Sequence, residues 1–293
     1  MPSRSWLFVP GDSERKLAKA CDSEADVLIL DLEDSVTPAR KAVARGMVQA
    51  FLKAQPPGAR KAMLYVRINP LSSEAALHDL AAVSPGRPDG IVQPKCIGPH
   101  DVSSLGRHFD RLEERDGAAP GSTKIVAIAG ETAAGVLALG RYGVVARRLP
   151  RLAGLTWGPW DLALDLGAAS NQDDKGDYTP PYRVAMSMTL FAAKAANVQA
   201  IDTVYTAFTD DAGLLAWSKR IRREGWTGKL AIHPAQVPVI HEGFRPTPEE
   251  VVQAQRVIAA LTQTRDGAVS LDGVMIDRPH LVQAEYILSL RDA

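Results

Sequence analysis

The sequence lacks an excess of charge of either sign and is poor in cysteine. Its 293 residues contain 34 Lys+Arg, 34 Asp+Glu and two cysteines, Cys21 and Cys96. A chain without net charge has no general electrostatic attraction to nucleic acid or to an anionic membrane surface, so we expect neither as a partner. The cysteines lie far apart and form no metal-binding or redox motif, which favours two reduced thiols. An anionic ligand must therefore be recognised by a local group of side chains.

Long hydrophobic runs are also missing. The apolar residues 6–9 are followed at once by Pro10 and Gly11, and the longer apolar stretch 124–140 is interrupted at Gly130. Such runs are too short for a signal-peptide core or a membrane-spanning helix. The 46% of hydrophobic and 23% of charged residues are ordinary values for a folded globular protein. The sequence thus predicts a soluble, cytoplasmic protein without a membrane partner.

Short apolar runs alternate with longer amphipathic segments over most of the chain. Strands are predicted for residues 6–9, 27–32, 63–68, 90–92, 124–129, 152–157, 200–205 and 229–232. Helices are predicted for residues 13–21, 38–52, 73–82, 99–114, 132–146, 181–196 and 210–223. This alternation indicates a parallel sheet, and about eight such strands close a (β/α)8 barrel. An open doubly wound sheet is the alternative, but the first strand is not followed by the glycine-rich phosphate turn of that fold. The predicted fold class is therefore α/β, a (β/α)8 TIM barrel.

The alternation stops after the eighth strand. A helix is predicted for residues 248–264, an apolar stretch follows at 267–276, and a last helix begins at Pro279. We therefore predict a barrel catalytic domain, residues 1–235, and a small C-terminal helical extension, residues 236–293. The pattern alone does not decide whether the extension packs on its own barrel or on a neighbouring subunit.

Polar side chains follow most of the predicted strands. In a barrel these positions meet at one face and build the active site. They are Asp31, Glu33 and Asp34 after the second strand, Arg67 and Asn69 at the third, Gln93 and Lys95 at the fourth, Glu131 at the fifth, Asp161 at the sixth and His233 at the eighth. An acid at such a position is often only a helix cap, as Asp34 could be. Lys95 and His233 could be ordinary rim residues.

Glu131 and Asp161 are the strongest metal-ligand candidates. Each follows an apolar strand, and two carboxylates without a nearby cysteine cluster or histidine pair match the ligands of Mg²⁺. Zinc or a redox metal would need nitrogen or sulfur ligands. Arg67 beside such a metal could bind a substrate carboxylate with both arms of its guanidinium, although an internal Arg–carboxylate pair is the alternative. The combination indicates an enzyme for an oxoacid or its enolate.

Several segments of the sequence resemble the citrate lyase β-subunit-like proteins of the HpcH/HpaI aldolase/citrate lyase family. They occur in the family's order across nearly the whole chain. The matching segments are Leu7-Phe8-Val9-Pro10-Gly11, Leu30-Asp31-Leu32-Glu33-Asp34-Ser35-Val36, Val66-Arg67-Ile68-Asn69, Pro94-Lys95, Glu131-Thr132-Ala133, Trp157-Gly158 with Asp161-Leu162, Ile232-His233-Pro234 with Gln236, and Met275-Ile276-Asp277 with Pro279.

The resemblance implies a Mg²⁺-dependent carbon–carbon lyase. It implies Mg²⁺ on Glu131 and Asp161, substrate on Arg67, and Asp277 as the acid/base that exchanges a proton with the thioester α-carbon. Glu131 and Lys95 are further candidates for substrate contact. Glu33 and Asp34 are candidates for side chains that support these contacts without touching the substrate. The family's C-terminal segment completes the active site of an adjacent subunit, typically in a trimer or a multiple of one.

The expected reaction cleaves, or forms, a carboxylated β-hydroxyacyl-CoA of the citramalyl-, malyl- or citryl-CoA type, giving acetyl-CoA or a homologue and an oxoacid. Two alternatives remain open. The chain could be an aldolase for free 2-oxoacids, or a citrate lyase subunit that needs an acyl-carrier partner.

Overall fold

Eight parallel strands form a closed barrel. The computed structural model describes residues 2–263 and 267–291. The strands, hydrogen-bonded in chain order with β8 returning to β1, are β1 (Ser5–Pro10), β2 (Val27–Asp31), β3 (Met63–Arg67), β4 (Gly90–Gln93), β5 (Lys124–Gly130), β6 (Leu152–Trp157), β7 (Gln199–Asp202) and β8 (Gly228–Ala231). The predicted barrel is confirmed.

Helices connect the strands and surround the barrel. They are α1 (Glu14–Ala20), α2 (Lys41–Ala54), α3 (Glu74–Val83), α4 (Pro99–Asp116), α5 (Ala133–Ala138), α6 (Arg141–Val145), α7 (Pro159–Leu166), α8 (Pro180–Ala196), α9 (Asp211–Glu224) and α10 (Gln236–Phe244). Side chains of Ser13, Thr132 and Asp210 accept hydrogen bonds from the first turns of α1, α5 and α9 and so help to set where these helices begin.

The barrel has two hydrophobic layers because successive residues of a strand point to opposite faces. Residues such as Trp6, Ile29, Val126 and Leu230 form a buried cluster inside the barrel. Their strand neighbours pack outward with the helices in a larger cluster. Because both faces of the strands are buried, the strands appear in the sequence as uninterrupted apolar runs.

Three helical predictions need correction, the first being the short helix α7, which was not predicted. The predicted helix over residues 132–146 is divided into α5 and α6, with Gly140 between them. The helix α10 was not predicted because Pro238 lies within it, yet a proline in the first turn removes no helical hydrogen bond. Since α10 contacts α9, β1 and β8, the helical layer of the barrel continues past residue 235.

The end of the chain forms a second, smaller core. It contains α11 (Pro248–Gln263), the antiparallel hairpin β9 (Ala268–Leu271) and β10 (Val274–Asp277), and α12 (Arg278–Ser289). The hairpin turns at Asp272 and Gly273, both with positive φ (51° and 78°), as a two-residue type I′ turn requires. The predicted helices are confirmed, except that residue 264 lies outside the described residues. The extension is not purely helical, since the predicted apolar stretch is this hairpin.

Ion pairs attach this C-terminal unit to one end of the barrel. Glu250 of α11 pairs with Arg222 at 2.5 Å and with Arg223 at 3.0 Å, both near the end of α9. That end leads into the start of β8, so it lies at the amino-terminal face of the barrel. Both cysteines are free. No helix among residues 2–263 and 267–291 combines the length and hydrophobicity needed to cross a membrane.

Candidate active site

Glu131 lies in a cradle formed by backbone. It follows β5, is 3% exposed, and its Oε2 accepts a hydrogen bond of 2.6 Å from the backbone N–H of Lys95. Lys95 adopts a left-handed conformation (φ 52°) that points this N–H at the carboxylate. On the other side lies Gly158, where a Cβ would come within 2.8 Å of Glu131 Cγ. The loops after β4 and β6 therefore fix one carboxylate at the carboxyl-terminal face of the barrel.

Asp161 supplies a second carboxylate beside Glu131. It lies in the first turn of α7, directly after β6, and its side chain is 29% exposed. Burial and, after it, the negative charge of Asp161 raise the pKa of Glu131 to about 8. A divalent cation between the two groups would remove this repulsion, and one or two carboxylates completed by water and substrate are a usual Mg²⁺ site. The donor set therefore fits magnesium, although no group of three or more His, Cys, Asp or Glu suited to a metal occurs in the described part of the chain.

The side chain of Lys95 lies close to three acidic side chains at the barrel mouth. Its Nζ lies 3.1 Å from Glu33 Oε1, 3.5 Å from Asp161 Oδ1 and 3.9 Å from Asp34 Oδ2. Although partial burial opposes it, these carboxylates raise the pKa of Lys95, which therefore carries its charge. The structure thus brings Lys95, Glu33, Asp34 and Asp161 together, as the convergence of strand ends predicts. Glu33 differs from Asp34, because it is buried whereas the Asp34 side chain is 59% exposed.

Arg67 ends β3 and is held by Asp31, a carboxylate that was predicted to lie at this face but was given no role. Its Nε and Nη2 donate hydrogen bonds of 2.7 Å each to the two oxygens of Asp31, and its Nη1 lies 3.1 Å from Glu33 Oε2. The Arg–carboxylate pair that was the alternative for Arg67 is therefore present. Asp31 pairs directly with Arg67 across β2 and β3, so the contact follows from a strand register that the sequence pattern does not show. Terminal Nη hydrogens remain for an external anion, so the pair and substrate binding are compatible.

Two further polar side chains support the loop after β2. Lys41 donates from Nζ to the carbonyl oxygens of Leu32 and Glu33 at 2.7 and 2.6 Å. Asn69, which is held by buried Asp79, donates to the Leu32 carbonyl at 3.0 Å. Asn69 was predicted to lie at this face but was given no role, and Lys41 was not predicted to act here. Lys41 carries no motif signal, because it lies in the first turn of an ordinary amphipathic helix.

A basic cavity adjoins this cluster. It is formed by the ends of β1 and β8 and by α1, and it is lined by Leu7, Phe8, Val9, Pro10, Arg15, Lys16, Lys19, Ala20, Ile232, His233 and Pro234. Phe8 belongs to both regions, since the Arg67 guanidinium lies over its ring at 4.6 Å. Three cations of α1 thus line a cavity next to Arg67 in a protein without net charge.

Asp277 is not part of the cluster within one chain. It ends β10, and its Oδ1 lies 2.6 Å from Nδ1 of His280 in the next helix. Across residues 2–263 and 267–291, no hydrogen bond or ion pair joins it to the barrel-mouth carboxylates of the same chain. Its hairpin packs on α11 and α12, and α11 forms its ion pairs with the barrel at the opposite, amino-terminal face.

The fold and the site define the class of this protein, a (β/α)8-barrel enzyme with a carboxylate–arginine cluster at the carboxyl-terminal face. Residues 4–234 match the HpcH/HpaI aldolase/citrate lyase family. The chain belongs to this family.

Relatives match over almost the whole chain. Citrate lyase subunit beta of Escherichia coli (strain K12) is 36% identical over 289 residues, covering 98% of this chain and 92% of the relative. The mitochondrial citramalyl-CoA lyase of Rattus norvegicus is 34% identical and covers 99% and 86%. The crystal structure of protein CitE from Mycobacterium tuberculosis in complex with magnesium, acetoacetate and coenzyme A has 31% identity and a TM-score of 0.83, covering 100% and 99%.

These comparisons confirm the resemblance stated from the motifs. They also confirm that the enzyme class is that of a lyase. The expectation of magnesium agrees with the magnesium bound in the solved relative. The ligands of the metal, the subunit arrangement and the cytoplasmic location stay predictions.

Proposed function

We propose that this protein is a Mg²⁺-dependent lyase that cleaves, or forms, a carboxylated β-hydroxyacyl-CoA thioester of the citramalyl-, malyl- or citryl-CoA type. The observation that carries the proposal is the arrangement at the barrel mouth, where Glu131 and Asp161 lie beside an arginine fixed by Asp31. Relatives named for citrate, citramalyl-CoA and malyl-CoA support this substrate class.

Glu131 and Asp161 would hold the metal, and Arg67 would bind the substrate carboxylate through its terminal nitrogens. Bound there, Mg²⁺ would supply Lewis-acid stabilisation of the negative charge that develops on oxygen during the reaction. Lys95 anchors Glu131 with its backbone N–H and keeps its own charge next to Asp161. Together these groups would favour a transition state in which a second negative charge develops beside the carboxylate over the ground state, whose acyl group carries the carboxylate charge alone.

In cleavage, the hydroxyl group loses its proton to solvent, which later returns a proton to Asp277, and its carbon becomes the carbonyl carbon of the oxoacid. The bond to the thioester α-carbon breaks, and the electron pair passes to that carbon as a thioester enolate. The α-carbon then gains one proton, giving acetyl-CoA or a homologue. Asp277 would donate this proton, and it would remove the proton in the condensation direction.

The basic cavity would receive the phosphates of CoA. Arg15, Lys16 and Lys19 offer three cations on the first helix, and Phe8 connects their cavity with Arg67. The protein has no net charge, but positive charge is concentrated locally at this cavity, and such a concentration favours binding of the anionic CoA. The acyl end would then reach Arg67 while the nucleotide stays outside the barrel.

Asp277 would act in the site of a second copy of this chain. Large apolar side chains are exposed on the adjoining helices α5, α6, α7 and α8, namely Leu137, Val144, Leu164 and Phe191 at 86, 85, 82 and 65%. Val274 and Met275 of the hairpin are also exposed, at 61 and 62%. A single chain leaves both surfaces in water, and such patches mark protein interfaces. In a homotrimer, the hairpin of one copy would dock beside α5 and α7 of the next copy. Asp277 would then lie near α5, which follows Glu131, and near α7, which carries Asp161.

Mixed oligomers test this sharing of sites. Glu131→Gln and Asp277→Asn should each abolish cleavage, and Asp277→Asn should still bind Mg²⁺. Chains of the two variants with different tags, refolded together and purified through both tags, should regain partial activity, because some sites then combine an intact Glu131 with an intact Asp277. Co-purified mixed oligomers without any activity would refute the shared site.

A second candidate is the citrate lyase β-subunit role, which is favoured by the 36% identity to the Escherichia coli protein. The purified chain alone should cleave CoA thioesters if our proposal holds. A chain that turns over only substrates attached to an acyl-carrier protein would be such a subunit. Aldol chemistry on free pyruvate or oxaloacetate, without thioester cleavage, would identify the remaining alternative, a 2-oxoacid aldolase.

A further inference from the structure

Asp31 is a buried carboxylate to which the proposed reaction gives no role. It ends β2 next to the predicted substrate-binding and metal-binding side chains, and it is fully buried. Its backbone is also fixed, because the N–H of Gly11 donates to its carbonyl oxygen at 2.9 Å. A Cβ at position 11 would come within 2.6 Å of that oxygen, so this close approach requires glycine.

The carboxylate of Asp31 has no capacity left for a metal or a substrate. Oδ1 accepts from the Glu33 N–H at 2.9 Å and from Arg67 Nε at 2.7 Å. Oδ2 accepts from the Ser35 N–H at 3.1 Å and from Arg67 Nη2 at 2.7 Å. Each oxygen therefore has one backbone partner and one guanidinium partner, which is the usual complement of a buried carboxylate oxygen.

These contacts determine how Arg67 is oriented. A guanidinium presents two forks to a carboxylate, one formed by Nε and a terminal nitrogen and one formed by the two terminal nitrogens. Asp31 takes the first fork. The ring of Phe8 covers one face of the guanidinium at 4.6 Å. Glu33 Oε2 lies 3.1 Å from Nη1 but accepts no hydrogen bond from it. The terminal fork is the one that remains for a planar anion.

Electrostatics keep this arrangement in place. Burial alone would raise the pKa of the Asp31 carboxyl, but the charge and hydrogen bonds of Arg67 hold it below its ordinary value. Asp31 is therefore ionised and offers acceptors to both donors. An arginine held in this way loses little side-chain freedom when it binds a ligand, which lowers the cost of association.

We propose that Asp31 is a positioning residue, which occupies the Nε/Nη2 fork of Arg67 and turns the terminal fork toward the oxoacid carboxylate of the substrate. The inference rests on the proposed function, because it takes Arg67 as the group that binds this carboxylate. Asp31 itself touches neither the substrate nor the metal.

Pyruvate binding to the full-length protein in the presence of Mg²⁺, measured by calorimetry, tests the inference in a double-mutant cycle. Asp31→Asn keeps the shape but removes the charge and one acceptor, and it should weaken pyruvate binding by about tenfold or more. In the Arg67→Met background the same substitution should change pyruvate affinity by less than about twofold, because the residue through which Asp31 acts is gone. In turnover, Asp31→Asn should raise KM more than it lowers kcat.

The outcomes separate the inference from the proposed function. If Arg67→Met binds pyruvate as tightly as the wild type, the proposed role of Arg67 fails and the inference fails with it. If Arg67→Met binds poorly but Asp31→Asn has wild-type affinity, or weakens binding equally in both backgrounds, only the positioning role is refuted. Cooperative unfolding in urea, as in the wild type, excludes misfolding of the asparagine variant, and Asp31→Glu is a second variant that keeps the charge. It should also bind pyruvate poorly, because its extra methylene displaces the guanidinium, and wild-type affinity would overturn the inference.

Discussion

Glu131 is the residue for which burial and proposed function are most closely linked. A carboxyl that is 3% exposed next to a second acid resists ionisation, and its pKa rises to about 8. Burial of this kind is costly without a compensating cation. The position of Glu131 is therefore explained by ligand binding better than by stability.

Glu131→Gln should lower Mg²⁺ affinity by about a hundredfold, because an amide replaces one of the two carboxylate ligands. Titration calorimetry with MgCl₂ measures this directly. The control is Asp12→Asn, which removes the same charge from a loop at the same face, where Asp12 pairs with half-exposed Arg40. The control should keep wild-type affinity. Equal Mg²⁺ affinity in Glu131→Gln and the wild type would contradict the metal assignment.

The roles of single residues could be predicted only in part. Glu131 and Asp161 stand out because each charged residue follows an apolar strand, and strand ends of a barrel converge. The importance of Asp31 is not visible in the same way, because its partner Arg67 is remote in the sequence and meets it only through the register of two strands. Lys41 is missed for the same reason, since its bonds to the loop after β2 depend on the folded barrel.

At the scale of elements, the β6–α7 junction positions both predicted metal ligands. Gly158 ends the strand, caps α7 and leaves room for Glu131, while Asp161 lies in the first turn of the same helix. One short connection therefore controls the space for one carboxylate and the position of the other.

Gly158→Ala should weaken Mg²⁺ binding by about tenfold or more, because the new Cβ would come within 2.8 Å of Glu131 Cγ and 3.1 Å of its Oε1. The backbone there (φ −132°) tolerates alanine, so the effect would come from this contact. Gly140→Ala is the matched control, because nothing lies within 4 Å of its Cβ position. Calorimetry on both variants checks the prediction, and an unchanged affinity for Gly158→Ala would argue against the cradle.

The exposed apolar face of α5 to α8 leads to a further prediction. Leu164→Glu places a charge in the middle of this face and should convert oligomers into smaller species, since a buried charge without a partner opposes association. Sedimentation velocity measures the change. Glu14→Gln on the first helix, which alters charge away from this face, should sediment as the wild type. A Leu164→Glu protein that remains fully oligomeric would place the interface elsewhere.

The elements themselves were largely predictable, and their exceptions have physical causes. All eight strands follow from apolar runs, because both faces of the barrel strands are buried. The helix α10 was missed because Pro238 suggests a break, although the first turn of a helix accepts proline. The hairpin after α11 was missed because its strands are short, and its turn depends on Asp272 and Gly273 adopting positive φ.

At the scale of the whole molecule, stability and the site depend on different charges. Glu113 of α4 is 2% exposed, and Arg151 donates to both of its oxygens at 2.7 and 2.6 Å. Burial would raise the pKa of Glu113, but Arg151 and the N–H groups of Thr123 and Gly121 lower it to about 2. This pair joins the end of α4 to the segment before β6, at the amino-terminal face of the barrel, whereas Glu131 and Asp161 follow the carboxyl-terminal ends of β5 and β6.

Glu113→Gln should reduce the free energy of unfolding at pH 7 by about 3 kcal/mol, because it leaves buried Arg151 without its full countercharge. The pKa of Glu113 is lower in the folded than in the unfolded state, so its stabilisation is complete above the unfolded pKa of 4.5 and is lost as the pH falls toward 2. Urea unfolding at pH 7 and pH 3 should therefore show a smaller difference at pH 3. Exposed Glu114→Gln is the control. A difference independent of pH would contradict the argument.

The proposed assembly is indicated by the sequence of one chain only through its resemblance to a family. Asp277 and the barrel-mouth carboxylates belong to separate cores, and the ion pairs of Glu250 hold the C-terminal unit to the far end of the barrel. Periodicity describes each core separately, whereas the proposed contact between copies would depend on exposed surface patches such as that around Leu164. An intermolecular site leaves no periodic signal in the sequence.

The most direct test of the central claim is to incubate the purified chain alone with citramalyl-CoA, malyl-CoA or citryl-CoA. The formation of acetyl-CoA is then measured by chromatography. We predict that at least one of these thioesters is cleaved to acetyl-CoA and the matching oxoacid in the presence of Mg²⁺. The activity should disappear in EDTA and return when excess Mg²⁺ is added. Failure to cleave all three in the presence of Mg²⁺, or cleavage at an unchanged rate in EDTA, would contradict the account.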